Sequence, residues 1–307
     1  MGNLINRKAS SSSKQDPEDH PVVVQRPTFI YNWRPDASDH DDKFIKFNRA
    51  QTPLEKVSHI GKCGPVFNQG TLGSCTANAL SGAYTYRYNC ENNVSSGGSD
   101  EFVPSRLFIY YNERYLEGTT GSDSGAQIKD GIITLKKYGV CPESMWPYDV
   151  SKFKDKPGDQ CYTEAKKDHF TIDQHRVTQT LDDFKGCLED GCVFAFGFVV
   201  FESFEDSSRW DPKTWIMPIP EEGERVMGGH AVLCVGFDDE KQCFIVRNSW
   251  GKDWGDNGNF YMPYDYMMGN FSMENRGDGE TYWHQNDEGQ KQAYCSDFWS
   301  IDKTFDN

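Results

Sequence analysis

The sequence predicts an α+β protein in which a helical half precedes a half built on a β-sheet. In the first half, apolar residues recur at helical spacing over 76–88, 104–116 and about 125–138. After residue 146 the pattern changes to short β-branched and aromatic runs bounded by turn residues, at 192–201, 230–238 and 243–250. Helices followed by strands favour two lobes, and the cleft between two lobes is a common place for a site.

Composition limits the classes of partner. The chain has 307 residues, of which 36% are apolar and 14% aromatic, enough to bury a core. Its 32 basic residues are outnumbered by 47 acidic ones, and the formal net charge of -15 repels phosphate backbones and anionic lipid surfaces. No stretch approaches the roughly 18 apolar residues that span a bilayer. We therefore expect neither a nucleic-acid nor a membrane partner.

The N-terminal region differs in amino-acid composition from the rest of the chain. Residues 1–28 are rich in Ser, Lys, Asp and Pro, which predicts a flexible tail. Residues 29–52 carry aromatic side chains among Pro and Asp, which suits an extended arm laid over another surface. We expect residues 53–307 to form the folded domain.

Within that domain the helical lobe is expected at about 70–145 and the β lobe at about 146–307. A loop-like insertion is expected at 269–293, before a last strand. The first residues lack the apolar core of a secretory signal, and ten cysteines leave the redox state open. These observations favour an intracellular or virion-associated protein over a secreted one.

One cysteine lies where a thiol can become reactive. In "GTLGSCTANAL" Cys75 follows two glycines and a serine and begins the first predicted helix, whose N-terminus stabilises a thiolate. Gly70 and Gly73 permit close approach of a substrate backbone, and the amide of Gln69 is placed to share an oxyanion with the Cys75 N–H. This stretch alone leaves a buried structural thiol and a disulfide open.

A base and an orienting group follow in the predicted strands. His230 opens an apolar strand after two glycines, and Asn248 ends the next strand. A nucleophilic thiol needs a proton acceptor and a group that fixes the tautomer of that acceptor. An imidazole and an amide carbonyl meet those needs, and Trp250 would shield their hydrogen bond from water.

Taken in order, Gln69, "GSC" at 73–75, "GHAV" at 229–232 and "NSWG" at 248–251 resemble the papain-like cysteine peptidases. The resemblance implies a two-lobe fold, with the cysteine helix in one lobe and His and Asn in a β-sheet or barrel lobe. It implies a thiolate–imidazolium pair of Cys75 and His230, oriented by Asn248. It also implies an oxyanion hole formed by Gln69 and the Cys75 N–H, and no cofactor or metal.

Substrate contacts follow from the same resemblance. Ser124 and Gly125 lie where the family pairs with a bound peptide, and Gly229 and Trp250 flank the expected base. The chain departs from the family pattern at three positions: Leu72 stands where a cysteine is usual, Thr76 where an aromatic is usual, and Gly229 where a polar residue is common. The residues in several of these motifs are similar to those of a papain-like branch found in microbes and large DNA viruses.

The predicted function is a cysteine endopeptidase that hydrolyses peptide bonds through a thioester acyl-enzyme. Residues 125–147 contain neither the insertion nor the histidines with which some relatives trim dipeptides. Two alternatives stay open: an acyl transferase of the transamidase type with the same triad, and an inactive relative that binds peptides.

The arm is a candidate short propeptide that restrains access to Cys75, so that the enzyme is made as a zymogen. The alternative is a permanent structural brace far from the cleft. If its aspartates (36, 39, 41 and 42) are salt-bridged to the body, their pKa values fall, and acid is expected to loosen the arm.

Overall fold

The computed structural model describes residues 30–37, 39–47, 49, 52–167, 174–275, 281–284 and 292–301. The predicted tail and Phe29 of the arm lie outside these residues. Among the described helices none is long and apolar enough to cross a bilayer.

The helices of the first half follow the predicted periodicity. In chain order the helices are α1 (Cys75–Glu91), α2 (Arg106–Glu117), α3 (Ile128–Tyr138), α4 (Asp159–Ala165), α5 (Leu181–Glu189), α6 (Glu202–Glu205) and α7 (Tyr264–Met268). Helix α2 begins where Ser105 Oγ accepts a hydrogen bond from Phe108 N, and it ends at Gly118 in a left-handed conformation. Helix α1 is buried on nearly every side, because small residues such as Ala77, Gly82 and Ala83 let neighbours approach closely.

The second half is a sheet. The strands in chain order are β1 (Phe44–Ile45), β2 (Lys56–Ser58), β3 (His175–Val177), β4 (Phe194–Phe201), β5 (Val226–Asp238), β6 (Cys243–Arg247), β7 (Asn259–Pro263), β8 (Asn270–Asn275), β9 (Thr281–His284), β10 (Gln292–Ala293) and β11 (Cys295–Ser300). The main sheet has the order β1-β3-β11-β4-β5-β6-β7, and β2 pairs with β5. Its pairs are antiparallel except β1 with β3. The α+β prediction is confirmed.

The insertion at 269–293 is not simply a loop, and that prediction is wrong. Strands β8, β9 and β10 form a separate three-stranded sheet in the order β10-β8-β9. One physical reason is visible at its base: Phe271 is buried and stacks on Tyr294, with ring centroids 5.2 Å apart and nearly parallel planes. Because the segment is mostly polar, this buried aromatic contact is not apparent from the sequence.

Two hydrophobic cores meet at the site. One joins α1, α2 and α3 to one face of the sheet, and the other is an aromatic cluster on the opposite face. Helix α1 crosses β5, where a Cβ on Gly82 would lie 3.3 Å from the Leu233 side chain. The start of α1 and the start of the apolar part of β5 are thereby brought together.

The C-terminal part of the arm is tied to the sheet. We call Asp36–Phe47 the anchor segment. Strand β1 within it pairs with β3, and Phe47 is buried. The Arg176 guanidinium contacts Asp36 at 3.1 Å and Asp42 at 2.7 Å from the anchor segment, and Asp297 of β11 at 3.0 Å. These contacts combine a strand addition with a buried charge cluster.

The expectation that salt bridges depress the pKa values of the arm aspartates is wrong for Asp36. Burial, and then the charge of Asp297, raise the pKa of Asp36 to about 7, although Trp299 and Arg176 oppose the rise. Asp39 behaves as expected, because its hydrogen bond from Lys129 lowers its pKa. The two carboxylates differ because Asp36 is removed from water and Asp39 is not.

Candidate active site

Cys75 is the first residue of α1 and is 0% exposed. Its sulfur lies against the backbone N–H groups of Ala231, Thr76 and Asn32, which lower the thiol pKa. Burial outweighs them and raises the pKa of Cys75 to about 11. Because Ala231 directly follows His230, this contact places the thiol beside the predicted base.

His230 is oriented as the sequence predicts. Its Nε2 lies 2.8 Å from Asn248 Oδ1, and the same oxygen accepts a hydrogen bond from Ser249 N at 2.8 Å. A carbonyl oxygen can only accept, so Nε2 carries the hydrogen and Nδ1 is left as an acceptor. Trp250 stacks on the imidazole with ring centroids 5.2 Å apart and shields this hydrogen bond.

The thiolate–imidazolium pair predicted for Cys75 and His230 is not the state of this structure. Burial lowers the pKa of His230 to about 4, while the pKa of the thiol is raised, so both groups are neutral near pH 7. The physical reason is that both side chains are 0% exposed. Burial thus opposes the charged form of each group in this structure.

Two hydrogen bonds fix the orientation of the Gln69 side-chain amide. Its Nε2 donates to Leu72 O at 3.0 Å, and its Oε1 accepts from Ser249 Oγ at 2.6 Å. Nε2 carries two hydrogens, so one remains for an oxyanion. The Cys75 N–H, in the first turn of α1, has no partner within its own helix and is the second candidate donor.

The arm occupies the cleft above these groups. We call Tyr31–Arg34 the cleft segment. Trp33 N donates to Gly229 O at 2.8 Å, and Arg34 N donates to Ala126 O at 3.2 Å. A Cβ placed on Gly125 would lie 1.7 Å from Asn32 O, so this segment runs directly against the glycine backbone.

The residues of the cleft segment lie on different sides of the thiol. Tyr31 meets the His230 ring edge-on at 5.9 Å and approaches Trp250 at 6.0 Å. Asn32 donates its side-chain amide to Asp123 O at 3.1 Å. Trp33 is buried on the other side of Asn32.

Of the predicted substrate-binding residues, Gly125, Gly229 and Trp250 line the path of the cleft segment. The Ser124 hydroxyl instead donates to Thr119 Oγ1 at 2.8 Å within its own loop. Its role in substrate binding stays a prediction, as do the catalytic roles of Cys75, His230, Asn248 and Gln69.

Several residues that hold the site were not identified from the sequence. Both carboxylate oxygens of Asp123 accept from Gly73 N, at 3.1 and 3.0 Å, and tie the turn before Cys75 to the loop that contains Gly125. This contact lies close to Leu72, which replaces the usual cysteine. Ser249, within the "NSWG" motif, links Asn248 to Gln69.

Glu113 was also missed, and it is fully buried beneath α1. Its Oε2 accepts from Thr76 Oγ1 at 2.9 Å, and burial holds its pKa well above the ordinary value. Thr76 replaces the usual aromatic residue after the nucleophile. The sequence does not reveal that Thr76 pairs with Glu113, because Thr76 lies in α1 and Glu113 lies in α2.

Comparisons with known proteins agree with this geometry. Residues 54–276 match the model of the papain family cysteine proteases. Over 222 residues the chain is 46% identical to an uncharacterized peptidase C1-like protein of Acanthamoeba polyphaga mimivirus, which covers 70% of this chain and 69% of that protein. It is 28% identical over 223 residues to pro-cathepsin H of Bos taurus, covering 64% of this chain and 55% of that protein.

Among solved structures, the fold is similar to that of xylellain, a cysteine protease from Xylella fastidiosa. The TM-score is 0.73 at 37% identity, and the match covers 89% of this chain and 96% of that chain. The mimiviral and bacterial relatives confirm the resemblance to a branch found in microbes and large DNA viruses. The chain therefore belongs to the papain family of cysteine proteases and is a cysteine peptidase.

Proposed function

We propose that the protein is a cysteine endopeptidase that acts through a thioester at Cys75. The observation that carries this proposal is the hydrogen bond between His230 Nε2 and Asn248 Oδ1. It assigns the free lone pair to Nδ1, and His230 directly precedes the residue that contacts the Cys75 sulfur. Nucleophile, base and orienting group thus stand in the order that thiol catalysis requires.

The first half of the reaction forms the acyl-enzyme. His230 Nδ1 takes the proton from the Cys75 thiol, and the sulfur forms a bond to the carbonyl carbon of the peptide. The resulting oxyanion accepts hydrogen bonds from the Cys75 N–H and from Gln69 Nε2. When the C–N bond breaks, His230 returns the proton to the leaving amine, and a thioester remains.

The second half releases the acyl group. A water molecule gives a proton to His230 Nδ1 and attacks the thioester carbonyl, and the C–S bond then breaks. The proton returns from His230 to the sulfur, which restores the thiol. Asn248 keeps the imidazole in one tautomer through both halves.

Cleavage within a chain is favoured because the cleft accommodates an internal stretch of polypeptide. The cleft segment passes over Cys75 with chain continuing on both sides of it. A site that trims chain ends needs an obstruction at one end of the cleft. Residues 125–147, where relatives carry such an obstruction, consist here of α3 and short turns.

We further propose that the cleft segment inhibits the enzyme in cis and that the chain is a zymogen, and the path of the segment across the site supports this proposal. It runs from Tyr31, beside His230 and Trp250, toward Trp33. The leaving amine must meet His230, so a substrate places its C-terminal side near Tyr31 and runs in the opposite direction. The arm therefore blocks the cleft without presenting a peptide bond in the orientation for attack.

The experiment compares Cys75→Ala with Cys141→Ala in a chain that begins at Asp36 and so lacks the cleft segment. Cys141 is a matched control because it is also buried and lies beside Cys161 in the helical lobe. We expect Cys75→Ala to lower the hydrolysis of an internally quenched peptide by on the order of 10⁴-fold or more, and Cys141→Ala to change it less than about threefold. Mass spectrometry of the products locates the cleaved bond.

Retained hydrolysis in Cys75→Ala, with unchanged circular dichroism, would contradict the proposal. An added amine separates the acyl-transferase alternative, because that activity yields a conjugate in place of the free acid. Peptide binding without any product from the parent chain would identify the inactive relative.

A further inference from the structure

The chain between the two candidate oxyanion donors does not fix their separation by itself. Gln69 and the Cys75 N–H are joined by residues 70–74, which include Gly70 and Gly73, and Gly70 has a φ of 59°. Glycine restricts the backbone less than any other residue. The side chains at both ends, Gln69 and Ser74, are buried. Contacts from outside this segment must therefore hold the two donors in place.

The Tyr148 hydroxyl joins the two ends of the segment. Its oxygen lies 3.0 Å from Gln69 O and 2.5 Å from Ser74 Oγ. A carbonyl oxygen can only accept, so the single hydrogen of the Tyr148 hydroxyl goes to Gln69 O. Ser74 Oγ must then donate its own hydrogen to Tyr148 Oη.

Helix α1 fixes the direction of these hydrogen bonds at the other end. Asn78 Nδ2 donates to Ser74 Oγ at 3.0 Å and to Ser74 O at 2.9 Å, which leaves the Ser74 hydrogen for the phenol. Burial raises the pKa of Tyr148 to about 12, so its hydroxyl keeps its hydrogen. The bonds therefore run in one direction, from α1 through the phenol to Gln69, an arrangement in which each bond strengthens the next.

The Tyr148 ring is held independently of its hydroxyl. The Arg106 guanidinium carbon lies 4.0 Å from the centre of this ring and 4.5 Å from the centre of the Phe67 ring. Glu143 Oε1 accepts from Tyr148 N at 3.2 Å and from Arg106 Nη2 at 2.6 Å. Replacing Tyr148 by Phe thus removes the bridge and retains the ring, its cation and its backbone hydrogen bond.

We propose that Tyr148 is a positioning residue, whose hydroxyl holds the Gln69 amide and the Cys75 N–H at the separation that an oxyanion requires. This inference rests on the proposed peptidase function. Ser249, which follows β6, already holds Gln69, because Gln69 N donates to Ser249 O at 2.9 Å and the Ser249 hydroxyl donates to Gln69 Oε1. Tyr148 supplies the link from Gln69 to the start of α1. Donors that are fixed before the reaction stabilise the transition state more than the bound substrate, so loss of the link lowers kcat.

The test introduces Tyr148→Phe into the full chain that carries Trp33→Ala, which removes the largest side chain of the cleft segment and retains the anchor segment. We expect kcat for an internally quenched peptide to fall by about tenfold, less than for loss of a whole oxyanion donor, with KM changed less than about twofold. Tyr162→Phe is the matched control, because it also removes a hydroxyl hydrogen bond, the one that joins α4 to Asn112 of α2 at 3.0 Å. It should change kcat by less than about twofold.

Two readouts separate positioning from a general loss of structure. Iodoacetamide labels Cys75 by displacement of iodide and forms no oxyanion, so its rate should be the same in both variants and in the parent Trp33→Ala chain. A double-mutant cycle adds Gln69→Ala, which removes one donor. The separation of the donors then no longer matters, so Tyr148→Phe should cost less than about twofold in that background.

The outcomes distinguish this inference from the proposed function. Unchanged kcat in Tyr148→Phe, or the same loss with and without Gln69→Ala, overturns the inference and leaves the peptidase. Labelling of Cys75 that slows in parallel with hydrolysis also overturns it, since the variant then disturbs the thiol itself. No hydrolysis by the parent Trp33→Ala chain, with Cys75 readily labelled, counts against the proposed function and removes the inference with it.

Discussion

The cleft segment and the anchor segment belong to one arm, but different kinds of interaction hold them to the rest of the protein. The cleft segment has two backbone hydrogen bonds to the cleft edges and one large apolar side chain in a pocket. The anchor segment adds a strand to the main sheet and surrounds Arg176 with two of its carboxylates. One part of the arm thus lies over Cys75 and the other pairs with the sheet, so inhibition by the first part and bracing by the second both stay predictions.

The difference predicts that the proposed inhibition and the attachment of the arm can be separated. Apolar packing of Trp33 is insensitive to pH. The charge cluster on Arg176 is sensitive to pH, and a peptide in the cleft does not compete for it. An anchored arm also keeps the cleft segment at high local concentration, so that it can return after release.

Removal of the cleft segment alone has the largest expected effect. A chain that begins at Asp36 should hydrolyse an internally quenched peptide on the order of a hundredfold faster than the full chain, if about 1% of the full chain is open at any time. Its free energy of unfolding should fall by about 2.7 kcal/mol, which is the docking free energy that an open fraction of about 1% implies. Initial rates and urea unfolding of the two chains measure both quantities.

A chain that begins at Thr52 sharpens the comparison. It should be as active as the chain from Asp36 but less stable, by about 1.5–3 kcal/mol from the lost burial of Phe47 alone. Equal rates for the full chain and the chain from Asp36 would show that the cleft segment does not inhibit. Equal stability of the two truncated chains would show that the anchor segment braces nothing.

A smaller, several-fold effect is expected from pH on the anchor segment. Undocked Asp36 has an ordinary pKa near 3.9, and docking raises it to about 7. The docked state therefore binds more protons between these values, so its stabilisation is present at low pH and is lost as pH rises through about 7. Asp39 acts in the opposite sense, but it is exposed and solvent weakens its contribution.

Hydrogen exchange of the amides at 39–47, corrected for the intrinsic rate, should thus show more frequent opening at pH 8 than at pH 6. Asp36→Asn should abolish most of this difference, because it removes the titrating group. More frequent opening at pH 6 in the parent chain would restore the acid-release expectation and reverse the sign of the pH effect.

The sequence predicted the site more fully than it predicted what covers the site. Cys75, His230 and Asn248 each lie next to glycines or at the end of a regular element, so local chemistry and order along the chain were enough to group them. The position of Trp33 depends on a contact with Gly197, more than 160 residues away. A glycine inside a strand is typical of a close approach by another group, but the sequence does not show which residue approaches.

The predictions of charge state failed where burial determines the pKa of the group. Asp36 and the Cys75–His230 pair were judged by their charged partners, which are readable from the sequence. Their desolvation depends on how completely the arm and the lobes close over them, and this is a property of the folded chain. The same limit applies to Glu113, whose burial beneath α1 has no signature in its neighbours along the chain.

The pH dependence of Cys75 alkylation tests the central claim most directly. The full chain and the chain from Asp36 are treated with limiting iodoacetamide between pH 5 and pH 10, and mass spectrometry locates the label. In the full chain we expect Cys75 to react slowly and only at alkaline pH, because burial raises its pKa to about 11. Without the cleft segment, exposure of the thiol and His230 permits an ion pair, and labelling should persist below pH 6. Identical profiles for the two chains, or preferential labelling of a cysteine other than Cys75, would contradict the account.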